Sequence, residues 1–105
     1  MAFTANSLAD GQVSNAQAAI YTATSVKAYL KNLTLFNTSA TEQTCDLYVK
    51  RSGGTARQFK RFILAQYEHA DVIDKELLLG SGDSIEAVTT TASVLNYYVA
   101  GVTEA

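Results

Sequence analysis

The 105-residue chain has no proline, no tryptophan, one cysteine, one histidine and one methionine. Each scarcity excludes something. The one cysteine, Cys45, cannot close a disulfide within the chain, so the fold does not depend on an oxidising compartment. The one histidine, His69, leaves no Ser/His/Asp arrangement, and neither a nucleophile elbow nor a phosphate-cradling loop accompanies it. Without proline, strand edges stay competent for strand addition by a neighbour. Charged residues make up only 17% of the chain, below the quarter typical of globular domains, which suits a protein packed among other subunits. The net charge of −2 gives no global pull toward nucleic acid or an acidic membrane. No apolar run approaches the ~20 residues of a membrane span. The start, MAFTANSLADGQ, lacks the basic and apolar regions of a secretory signal. Synthesis and folding in a cytosol are therefore expected, and Asn32-Leu33-Thr34 and Asn37-Thr38-Ser39 read as chance matches to the glycosylation pattern.

What is present is a succession of short apolar runs separated by Gly, Asn, Ser and Thr. SVKAYLKNLTLFN (25–37), TCDLYVK (44–50), QFKRFIL (58–64) and SVLNYYVAGV (93–102) are the clearest. Such runs predict an all-β fold, a small antiparallel sandwich of seven or eight strands, jelly-roll or immunoglobulin-like. In the run 44–50, Cys45, Leu47 and Val49 alternate with Asp46, Tyr48 and Lys50, which predicts a half-buried strand. In the run 26–36, Val26, Ala28 and Leu30 share one parity and Leu33 and Leu35 the other. That phase change near Lys31-Asn32 predicts either a β-bulge or a strand whose ends are buried on different sides. Arg51 to Thr55 and Gly80 to Asp83 read as glycine turns. For 64–79, strand and loop are preferred over a helix because no N-cap leads into a coherent apolar stripe. Leu35, Leu47, Val49, Ile63, Ile85 and Val99 are the expected core. The whole chain, 1–105, reads as one domain, with residues 1–6 an N-terminal arm that carries Phe3 as an apolar anchor.

No residue pattern points to catalysis, a cofactor or a metal site, so the chain is expected not to be an enzyme. Cys45 has the inward parity of an inert core thiol, and His69 stands in a polar stretch beside Glu68 and Asp71 as a surface histidine. The candidate residues are contact residues. Five of the eight basic residues, Lys50, Arg51, Arg57, Lys60 and Arg61, fall between positions 50 and 61, interleaved with Phe59 and Phe62. Acids follow at once at Glu68, Asp71, Asp74 and Glu76, so the segment is bipolar: it reads as a solvated hairpin whose charges guard an edge strand or as a protein contact, and it fits a protein surface better than nucleic acid. Tyr97-Tyr98 place one ring on each face of the last strand, and Tyr48 has an outward parity. Exposed tyrosines on a lightly charged sheet suit a protein or glycan contact.

One resemblance spans nearly the whole chain. Ser7 to Val13 (SLADGQV), Ile20-Tyr21-Thr22, Leu33 to Asn37 (LTLFN), Leu47-Tyr48-Val49, Leu79 with Gly82-Asp83-Ser84-Ile85, and Tyr98 to Val102 (YVAGV) are similar to small virion structural proteins of tailed bacteriophages. The Thr22 to Ser25 turn departs from it in lacking proline. The resemblance implies a β-sandwich that decorates or cements a capsid, or that builds a tail or fibre attachment. It implies capsid or tail proteins of the same virion as partners, a homo-oligomer, and location in a virion assembled in bacterial cytoplasm. A carbohydrate- or receptor-binding module is the alternative, expected to show tyrosines in a groove with Asp or Asn side chains.

Overall fold

The structure, a computed structural model, describes residues 3–73 and 76–104, with side chains from residue 7 onward. Among the described residues there is no helix. The described residues form nine strands: β1 (Phe3–Gln12), β2 (Ala18–Thr22), β3 (Lys27–Asn37), β4 (Gln43–Lys50), β5 (Arg57–Leu64), β6 (His69–Asp71), β7 (Leu77–Leu79), β8 (Ser84–Thr89) and β9 (Leu95–Glu104). They form two antiparallel sheets. The five-stranded sheet has the order β1-β9-β3-β6, with β7 also on β3, and the four-stranded sheet has the order β2-β8-β4-β5. Set β7 aside and the pairs nest from the outside in: β1 with β9, β2 with β8, β3 with β6, β4 with β5. That nesting is the jelly-roll wrapping, and it lays the two ends of the described chain side by side, Phe3 opposite Glu104.

The phase change in β3 is a bulge. The ladder to β9 shifts register between Leu30 and Asn32, leaving Lys31 as the extra residue. Ala28, Leu30, Leu33 and Leu35 are all buried as a result, on one face of one continuous strand. The bulge also explains why the segment 69–79 gives two short strands instead of one. β6 pairs with β3 beyond the bulge, at Thr34 to Phe36, and β7 pairs before it, at Ala28 to Leu30. Gly101 sits opposite Leu30, where a Cβ would overlap the carbonyl oxygen of Tyr29, so any side chain there would force the two strands to shift.

The core lies between the sheets. Leu30, Leu33, Leu35, Cys45, Leu47, Leu64, Leu79, Ile85, Leu95 and Val99 are buried there, and Val49 packs half-buried against them. Ile63 is a correction: it is 60% exposed, because its ladder partner is outward-facing Thr44 while Phe62 pairs with buried Cys45. Apolar residues occupy both parities of β5, so the register with β4, not the alternation, decides which face is core. The start of the chain also differs from the expected arm. The backbone from Phe3 to Ser7 continues β1, laddered to β9 from Glu104 back to Ala100. The side chain of Phe3, like Asp74, lies outside the described residues.

Two buried polar groups lock the connections. Asn37 donates its amide to the carbonyls of Thr41 (2.8 Å), Leu64 (3.2 Å) and Ala65 (3.1 Å), and its oxygen accepts from the Ser39 amide (2.9 Å). A side chain so committed cannot carry a glycan in the folded chain. Asp83, immediately before β8, does the same for the turn that precedes it.

Candidate contact surfaces

The five basic residues around the β4–β5 hairpin do not converge on one patch. Arg61 stands opposite Asp46 across the β4–β5 ladder and holds it with two bonds, Nε to Oδ1 at 2.6 Å and Nη2 to Oδ2 at 3.0 Å. The guanidinium keeps the Asp46 carboxyl below its ordinary range. Arg51 turns to Asp83, Nη1 to Oδ2 at 2.9 Å, and also donates to the Leu78 carbonyl at 3.1 Å. Asp83 further accepts from the Ser52 amide (2.8 Å) and the Gly80 amide (3.0 Å). These bonds, the Ser52 amide foremost and then Arg51, hold the Asp83 carboxyl below its ordinary range. Lys60 and Arg57 pair with Leu47 and Val49, which puts them at the core-facing parity of an edge strand. Arg57 is exposed and Lys60 half-buried, so both keep charge along the margin of the sheet, and charge on an edge strand disfavours its pairing with another chain. Lys50 is exposed, opposite Ser84. Of the five, two serve internal ion pairs and two guard an edge.

The acidic run is likewise spent locally. Asp71 accepts from the Thr34 hydroxyl at 3.0 Å, Glu68 accepts from the Ala65 amide at 2.9 Å, and Glu76 pairs with Lys31. His69 is exposed opposite Phe36. Among the described residues no three His, Cys, Asp or Glu converge as a metal set. Cys45 is buried, and burial pushes its thiol up to about 12.

The outer face of the five-stranded sheet carries a run of large side chains. One row across it runs Asp10, Tyr98, Thr34, Asp71, and the next runs Gln12, Asn96, Phe36, His69. A third places Val102, Tyr29 and Leu78 side by side. Tyr98 is 42% exposed, Phe36 38% and Leu78 49%, so this face shows three large apolar side chains to solvent. The tyrosines divide as expected: Tyr98 lies outside, and Tyr97 is half-buried against the core at the parity of Leu35. Tyr48 is half-buried on the other sheet, between Gln58 and Glu86. Phe36 and Leu78 were not singled out by sequence. Once Leu33 and Leu35 are fixed as core, the period of two puts Phe36 outside, so that signal was present.

A shallower feature lies at the sheet margin. Asp10, Gly11, Gln12, Asn96 and Tyr97 line a depression of about 330 Å³. Tyr97 lies over Gly11, where a Cβ would come within 3.1 Å of its hydroxyl, and Gln12 donates to Asn96 Oδ1 at 3.2 Å. No protein-family model, curated protein or solved structure matches the chain.

Proposed function

We propose that the chain is a non-enzymatic structural subunit of a tailed-bacteriophage particle, most simply a head-decoration protein that packs against the major capsid protein or against copies of itself. The observation that carries this reading is the outer face of the five-stranded sheet. Phe36, Leu78 and Tyr98 stand exposed there, on a chain with little charge to keep a free monomer soluble. Burying such a face against a shell, repeated over many copies, turns modest contacts into lasting attachment. The sequence resemblance and the jelly-roll wrapping, an architecture used in viral capsids, support it by analogy. The test is co-sedimentation of the protein with gradient-purified particles. Replacing Phe36 and Tyr98 with Asp should leave the fold intact and strip the protein from the particles; full retention would contradict the reading.

A glycan- or receptor-binding role is the second reading, and one observation favours it. Tyr97 shares its depression with Asp10 and Asn96, an aromatic surface flanked by polar acceptors and donors. Jelly rolls also serve as lectins. Binding on a glycan array that Asp10→Ala abolishes, with no association with particles, would select it. A tail or fibre-attachment position belongs to the first reading and differs only in where the protein sits.

A further inference from the structure

Four strands end the two sheets, with β7 sharing one margin, and all but one are short or guarded. β6 and β7 have three residues each. β2 has five and is interrupted by a register shift at Ile20. β5 carries Arg57, Lys60 and Arg61, and its ladder shifts between Lys60 and Gln58. β1 is different. It has ten residues, FTANSLADGQ, with no Lys, Arg or Pro and a single charge at Asp10. One side of it is laddered to β9 and the other is the margin of the sheet. Its one irregularity, at Leu8, leaves residues 3–7 as an unbroken, uncharged stretch. The backbone amides and carbonyls along that margin form a template for another strand.

We propose that β1 is a self-association edge: two copies of this chain pair their β1 strands antiparallel about a two-fold axis, joining their five-stranded sheets into one. The occupant is a second copy because pairing needs a partner edge of matching length without guarding charge, and among the described strands only β1 offers one. The register follows from charge and from the bulge. With Ala5 on the axis, Phe3 faces Ser7 and Thr4 faces Asn6, every paired position is uncharged, and Asp10 falls beyond the ladder. A register centred beyond Leu8 would interrupt the ladder and bring the two Asp10 carboxylates together, which like-charge repulsion disfavours. A two-fold pairing of this kind is isologous and closes on itself, so it yields a dimer and not a filament. The inference rests on the assembly reading only in that self-association is one of the two modes it allows.

The experiment is sedimentation equilibrium on the full chain, with position 5 as the probe. The parent protein should show twice the monomer mass. Ala5→Lys and Ala5→Glu place like charges face to face across the axis, so each alone should sediment as a folded monomer. An equimolar mixture of the two should recover the dimer. Because either charge could disturb β1 itself, Ala5→Cys gives a second reading. On oxidation it should form a crosslinked dimer, whereas Asn15→Cys, in the exposed β1–β2 connection, should not; the native Cys45 is buried and does not compete. A monomeric parent chain, dimers persisting in both charged variants, no recovery on mixing, or equal crosslinking at positions 5 and 15 would overturn the proposal. Particle occupancy is independent of these measurements: a protein that is monomeric in solution yet present on particles rejects the edge and keeps the proposed function.

Discussion

Arg51 and Asp83, 32 residues apart in the sequence, meet at one end of the four-stranded sheet, next to the Lys50–Ser84 pair that closes the β4–β8 ladder, with Arg51 Nη1 2.9 Å from Asp83 Oδ2. The bond ties the β4–β5 hairpin to the β7–β8 turn, and the same Asp83 carboxylate accepts the Ser52 and Gly80 amides. Gly82, at φ 88°, lets the turn pass beneath Ser52, whose hydroxyl would lie 2.8 Å from a Cβ there. Arg51 is therefore a fastening of the fold before it is a contact residue.

Asp83 thus contributes stability that depends on pH. Its carboxyl is held below the ordinary Asp value, so the contribution is fully present above about pH 4 and is lost as pH falls through the folded-state value. Asp83→Asn should destabilise the protein at neutral pH by roughly 1–3 kcal/mol, the cost of weakening hydrogen bonds to a buried charged acceptor. Thermal melts of both proteins at neutral and strongly acid pH check this. The gap between them should narrow in acid, and a constant gap would mean that the carboxylate's charge contributes nothing.

Leu47 and Ile63 test which face of the four-stranded sheet is core. Leu47 is fully buried and Ile63 stands 60% exposed. Leu47→Ala should cost roughly 2–5 kcal/mol by loss of contacts and the cavity left behind. Ile63→Ala should stay within about 0.5 kcal/mol, as surface changes do. Denaturant unfolding of the two variants measures both, and similar costs would contradict the register of β5.

How much of this was legible in the sequence depends on how local the determining contacts are. The phase change in β3 could be read because the parity of Leu30 and Leu33 conflicts within four residues, but only the ladder to β9 makes it a bulge and not a strand buried on two sides. Cys45, Leu47 and Val49 could be read because β4 alternates without exception. Ile63 could not, since β5 has Phe59 and Ile63 on one parity and Phe62 and Leu64 on the other, and only its ladder to β4 chooses. The first residues of β1 show no alternation and so resemble an arm in sequence; their strand is set by β9, at the far end of the chain. The basic cluster was visible as composition, but its dispersal was not. Whether Arg51 and Arg61 are free depends on Asp83 and Asp46, which the fold brings to them.

Gly101 tests the close approach of β9 to β3. A methyl group there would overlap the Tyr29 carbonyl oxygen and press on the Leu30 Cα at 3.1 Å. Gly101→Ala should therefore destabilise by about 1–3 kcal/mol or more, the range for overpacking a tight interior. A melting temperature unchanged from the parent would show that the two strands can part without cost.

Cys45 reports on opening of the core. With its thiol buried and pushed up to about 12, it holds almost no thiolate at mildly alkaline pH. Thiol labelling of the native protein should proceed only through opening of the sandwich, and should accelerate in Leu47→Ala, which loosens its neighbour. Immediate labelling of the native protein would place the thiol at the surface.

A protein that works as part of a particle, as proposed, must be found on the purified particle. Negative-stain microscopy of gradient-purified particles, labelled with an antibody against the chain, tests it most directly. Label is expected at regular positions on the head, lost in the variant with Asp at positions 36 and 98. Unlabelled particles, with the protein confined to the soluble fraction of the lysate, would contradict it.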